Sequence, residues 1–162
     1  MKLNFYPDNA ILECLYDEVV RDIPASSNVR NELNGRRPLH DPSQVVYAMT
    51  SDPYTRSPVM PRTFPRGTWR VYRPRRRDDR YLAPFYIPTD AEQYLPVWTL
   101  DAKGGYDKVG KGMVLDLGYG LHFSTSLTTV GCIRIHSEQD LLWLVDTLNR
   151  MIDSREEITL NV

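Results

Sequence analysis

The chain has only two cysteines, three histidines and four lysines in 162 residues. It has no apolar run near the roughly 20 residues needed for a membrane-spanning helix. Two cysteines give no disulfide scaffold. There is no Cys-x-x-Cys pair, and His40, His122 and His136 are not at metal-ligand spacing, so no zinc site and no cofactor is expected. The N-terminus, MKLNFYPDNAILECLYDEVV, lacks the long apolar stretch and small-residue cleavage site of a signal peptide. Apolar residues make up 41%, far above the disordered range. The length suits one domain spanning 1–162 with a substantial core.

The formal charge of −1 hides a local asymmetry. Nine arginines fall between Arg56 and Arg80 against two aspartates, Asp78 and Asp79, a net of +7. Tyr54, Trp69, Tyr72 and Tyr81 are interleaved with them.

Period-two alternation and β-branched or aromatic residues predict strands in KLNFY (2–6), QVVYAMT (44–50), GTWRVYRP (67–74) and KGMVLDLGYGLHF (111–123). Twelve prolines concentrate in connections, notably 52–65 and LAPFYIP (82–88). One helix is expected. Ser137 with Asp140 three residues on has capping-box spacing, and Leu141, Leu144, Val145 and Leu148 form one apolar stripe. EEITLNV (156–162) reads as a closing strand. The fold class expected is mainly β, a sandwich or barrel with one packed C-terminal helix.

The chemistry concentrates in YGLHFSTSLTTVGCIRIHSEQDL (119–141). If 113–123 and 131–135 are two strands closed by STSLTTV, an antiparallel pair sets His122 opposite Cys132. Alternation sends Leu121, Ile133 and Ile135 to one face and His122, Cys132 and Arg134 to the other. An imidazole beside a thiol gives a nucleophilic thiolate. Gly131 lets a substrate carbonyl approach the backbone, where the amides near Gly131 and Cys132 can hold an oxyanion. Arg134 can bind a carboxylate bidentately. The plainer reading is that Cys132 is a small buried hydrophobe and His122 a satisfied structural histidine.

GYGLHFS…TTVGCIRI, together with Pro65, Gly67, Trp69 and Val71 in the preceding strand, resembles the catalytic domain of the L,D-transpeptidase (YkuD-like) family over roughly residues 40–162. The positions that match are Tyr119, His122, Thr129, Gly131, Cys132, Ile133 and Arg134. Val130 stands where the family has a second histidine, and Phe123 where a glycine is common. The resemblance implies a YkuD-like β fold and a peptidoglycan enzyme without a cofactor. Cys132 would attack the L-centre carbonyl of a diaminopimelate-type residue in a tetrapeptide stem and expel D-alanine, with His122 as base and then acid. An amine acceptor gives transpeptidation, water gives carboxypeptidase trimming, and a free D-amino acid gives exchange. Ser124 or Thr129 would steady the imidazole or substrate, Arg134 would bind a stem carboxylate or brace the loop, and Tyr119 falls in the substrate-binding set.

Such an enzyme acts in the periplasm or cell wall. With no signal peptide visible, either a leader has been removed or export follows a signal-independent route, and the latter suits an antibacterial effector with a secretion or immunity partner protein. Two other classes compete. A sortase-like thiol transpeptidase also uses His and Cys, but keeps its His far upstream and its Arg on a later strand. A binding module would use the Arg56–Arg80 basic and aromatic surface. The overall charge argues against nucleic acid as its ligand.

Overall fold

The computed structural model describes residues 1–27, 29–30, 38–39, 47–49, 63–79, 82–100, 106–107, 113–125 and 131–162. The N-terminal third gives β1 (Lys2–Tyr6), β2 (Ile11–Tyr16), β3 (Val19–Ser26), β4 (Val29–Arg30), β5 (Pro38–Leu39) and β6 (Tyr47–Met49). Next come β7 (Thr68–Arg70), β8 (Arg75–Arg76), β9 (Phe85–Pro88), β10 (Gln93–Leu100), β11 (Tyr106–Asp107) and β12 (Met113–Asp116). The chain ends with β13 (Gly120–Phe123), β14 (Ile133–Ile135), α1 (Glu138–Asp153) and β15 (Thr159–Asn161). The fold is mainly β with a single C-terminal helix among the described residues.

Nine strands form one sheet in the order β7-β15-β1-β2-β3-β14-β13-β9-β8. A bridge between Val71 and Thr89 brings the end of β7 back to β9, supported by Tyr72 N–H donating to the Pro88 carbonyl at 2.9 Å. The sheet therefore curls on itself. A smaller sheet carries β11-β10-β12, with β6 also on β10.

Alternation decides which side each strand buries. Leu3 and Phe5 of β1, Leu12 and Cys14 of β2, and Ile23 and Ala25 of β3 all face the core. Helix α1 lays Leu141, Leu144, Val145 and Leu148 against it, in contact with β9, β13 and β14. Ser137 caps the helix by accepting the Asp140 N–H at 3.3 Å. Arg21 holds its first turn through Asp140 at 2.7 Å and lies 4.2 Å from the Trp143 ring centroid, and Arg73 holds its last turn through Asp153 at 2.6 Å.

Two expectations change, and a third falls where nothing is described. The stretch 111–123 is not one strand: β12 and β13 lie in different sheets, divided at Gly118, whose φ of +89° suits glycine. LAPFYIP is not all connection, since Phe85–Pro88 forms β9 between β13 and β8. Residues 44–46 and 50 of the expected strand around Tyr47, and the loop 52–62, lie outside the described residues.

Candidate active site

The pair expected to be antiparallel is parallel. β14 runs alongside β13 with Leu121 level with Ile133, His122 with Arg134 and Phe123 with Ile135. His122 therefore stands opposite Arg134 and not opposite Cys132. The reason is the far side of β14, where Arg134 and Ile135 pair antiparallel with Ser26 and Ala25 of β3. The strand fits a slot between β3 and β13 and takes its direction from that slot.

The sorting of faces does not depend on direction, because side-chain period is two in either case. Leu121, Ile133 and Ile135 are fully buried in the core, while His122 and Arg134 share the opposite face. Registers extend that face across five strands. Arg75 of β8 is level with Tyr86 of β9, Tyr86 with His122, His122 with Arg134, and Arg134 with Ser26 of β3. Beyond the end of the row, Ser26 Oγ lies 2.9 Å from His136 Nε2.

Cys132 lies in the bend just before β14, two residues before Arg134, and extending the β13–β14 register by one residue would set it beside Gly120. Gly120 has no side chain, and the Tyr86 ring occupies that space. A Cβ built at Gly120 would lie 2.5 Å from Tyr86 Cε2 and Cζ and 2.5 Å from the Ile87 carbonyl oxygen. In that extended register His122 would be the diagonal neighbour of Cys132, a separation of about 7–8 Å between backbones that aromatic side chains can bridge.

His122 is 7% exposed. Its Nδ1 lies 2.9 Å from the Phe123 carbonyl, which can only accept, so Nδ1 carries the proton and Nε2 the lone pair of the neutral ring. Burial lowers the imidazole pKa below its ordinary 6.5; the Phe123 bond and Asp79 oppose this, and Arg134 adds to it. The ring is thus a neutral base at neutral pH. The phenol of Tyr86 donates to the Gly118 carbonyl at 2.9 Å. Its pKa is pushed up by burial and then by negative charge on Cys132, against Arg75 and Arg77. Burial also lowers the Arg134 pKa, and lowers His136 with help from the Arg134 charge.

The other expected residues divide. Gly131 is buried with φ +95°, a conformation that L-residues rarely adopt, immediately before the thiol. Ser124 is half-buried just beyond β13. Thr129 and Val130 lie outside the described residues. Tyr119 does not join the row. It is 1% exposed, packs edge-on against Phe64, and its hydroxyl is shared with Asp116 and Gln93. Tyr86 and Gly120 were missed by sequence reasoning. The signal for Gly120 was available: two residues before the histidine, on its own face, the side chain is absent.

No disulfide joins the two cysteines. Cys14 is fully buried, and burial pushes its thiol up to about 12. Cys132 is half-buried. Iodoacetamide on the native protein at pH 7.5 is expected to alkylate Cys132 and spare Cys14, read by peptide mass spectrometry; equal labelling of both would contradict this. Among the described residues no cluster of three or more His, Cys, Asp or Glu could hold a metal ion. No protein-family model, curated protein or solved structure matches this chain.

Proposed function

We propose that the protein is a cysteine acyl transferase acting on peptidoglycan tetrapeptide stems, with Cys132 as nucleophile and His122 as base. What supports this reading is a half-buried thiol immediately before β14 and, on the adjacent strand β13, an imidazole level with Arg134 whose pKa burial lowers. The Arg134 charge, two residues from Cys132 on one strand face, favours the thiolate. Burial holds the imidazole in its basic form, and the Arg134 charge adds to that.

In the first half-reaction His122 Nε2 takes the thiol proton and the sulfur attacks the carbonyl of the diaminopimelate-type residue. The C–S bond forms, the amide C–N bond breaks, and D-alanine leaves with the proton returned by His122. The amides around Gly131 stabilise the oxyanion. In the second half-reaction an acceptor amine or water attacks the thioester, gives its proton to His122 and releases Cys132. The acceptor decides between cross-link, exchange and trimmed tripeptide. The site of action is the cell wall or periplasm, where the protein acts as an antibacterial effector with a secretion partner.

The arginine-rich segment favours this reading over a nucleic-acid surface. Arg70, Arg73 and Arg77 are paired with Glu157, Asp153 and Asp79 at 3.9, 2.6 and 3.0 Å, exposed ion pairs that offset part of the local charge. Arg56, Arg62, Arg80, Tyr54 and Tyr81 lie outside the described residues.

Incubation with purified tetrapeptide stems, quenched in acid and read by mass spectrometry, is expected to show free D-alanine and a tripeptide acyl adduct on the Cys132 peptide. Neither product after prolonged incubation would overturn the reading.

A further inference from the structure

We propose that Arg75 forms an anion subsite on the β8 side of the candidate site, where it takes a free carboxylate at the far end of the acyl residue's side chain. This rests on the acyl-transfer reading above and adds to it a residue that decides which donor is accepted.

Position is the first argument. Arg75 is level with Tyr86 in the β8–β9 register, so its side chain leaves the same sheet face as Tyr86 and His122. Its neighbour Arg76 is level with Phe85 and leaves the other face. Tyr86 links Arg75 to the nucleophile. The Tyr86 ring fills the space over Gly120, and besides its burial, which raises the phenol's pKa, negative charge on Cys132 raises it further while Arg75 lowers it.

Availability is the second argument. Arg77 also acts on the same phenol through its charge, but is bonded to Asp79 at 3.0 Å. Arg134, on the opposite flank, is only 9% exposed. Arg75 is exposed and has no acidic partner among the described residues. A guanidinium in that state offers its planar fork to a ligand carboxylate.

Reach is the third. With strands about 4.8 Å apart and a rise of about 3.3 Å per residue, the Arg75 and Cys132 Cα atoms lie roughly 16 Å apart. An extended arginine covers on the order of 7 Å of this, which leaves about 9 Å between its guanidinium and the Cys132 Cα, beyond one residue's advance of about 3.5 Å. A carboxylate on the backbone next to the attacked carbonyl falls short of Arg75. One at the end of a long side chain, as in diaminopimelate, reaches it.

The test compares two tetrapeptide stems, one ending its diaminopimelate side chain in a carboxylate and the other in a carboxamide, by D-alanine release. The wild type is expected to prefer the carboxylate about tenfold in kcat/KM, mostly through KM. Arg75→Gln should reduce that preference to within twofold, Arg75→Lys should retain part of it, and Arg76→Gln should keep it. Thermal unfolding of each variant checks that the fold is intact. If D-alanine is released by all variants with the preference unchanged in Arg75→Gln, or lost equally in Arg76→Gln, the subsite is wrong while acyl transfer stands. Absence of release from the wild type would overturn the acyl-transfer reading and the subsite with it.

Discussion

His122→Gln is expected to slow D-alanine release by about 10³-fold, within the range a positioned acid–base group contributes, and Cys132→Ala should leave only background. Glutamine keeps roughly the size and an N–H that can reach the Phe123 carbonyl, so the loss isolates proton transfer from packing. Nδ1 is committed to that carbonyl and Nε2 is the nitrogen with a lone pair, so no other atom of the ring can do this work. The second variant separates nucleophilic catalysis from simple binding. Stopped-flow acylation of Cys132, with circular dichroism to confirm the fold, reads both. A His122→Gln rate within tenfold of wild type would remove the histidine from the mechanism.

The pH dependence follows from the same burial. The folded state holds the ring neutral below its ordinary 6.5, so the acid limb of the wild-type rate should have its midpoint below 6.5. His136 is lowered in the same direction. Between the ordinary value and the lowered folded values, the unfolded chain binds more protons than the folded one. Stability is therefore present above pH 6.5 and lost as pH falls through the folded values. In His122→Gln that loss should be shallower. Chemical denaturation at pH 7.5 and pH 5 checks the sign, and equal midpoints at both pH values in the wild type would contradict it.

What could be read from the residues was whatever depends on local period. β1 matches its expected bounds because Leu3 and Phe5 alternate cleanly against polar neighbours. The helix follows its four-residue stripe and the Ser137 cap. The division of Leu121, Ile133 and Ile135 from His122 and Arg134 survives although the pairing direction was misjudged, since alternation is blind to direction. Strand direction is set by a partner, β3, more than a hundred residues away in sequence, and no short connector encodes it. The β2–β3 hairpin was obscure because Ile11 and Leu15 add apolar residues to the outward side of β2, which blurs the period. Tyr86 was hidden by prolines: Pro84 and Pro88 flank and end β9 without interrupting it, and a count of prolines reads that as a loop.

Gly120→Ala is expected to lower stability by about 1–3 kcal/mol, the usual cost of forcing a group into a filled space, and to reduce acyl transfer as well. The new Cβ would meet two things at 2.5 Å, the Tyr86 ring and the Ile87 carbonyl oxygen, and they yield differently. The ring can swing away, but only by giving up the hydroxyl bond to Gly118 and moving into the space beside Cys132. The carbonyl belongs to β9 backbone, and β9 is bonded to β13 through Gly120, Leu121 and His122 in register. Relief there means separating the strand that carries the base from the one that walls it. A Tyr86→Ala background divides the two contributions. Removing the ring should recover part of the stability lost in Gly120→Ala, and the part not recovered measures the strand separation, a double-mutant coupling read from denaturant midpoints. Acyl transfer should stay low in the double variant, because both the ring and the strand spacing have changed. If Gly120→Ala were as stable and as active as the wild type, the packing of Tyr86 over Gly120 beside the thiol would be wrong.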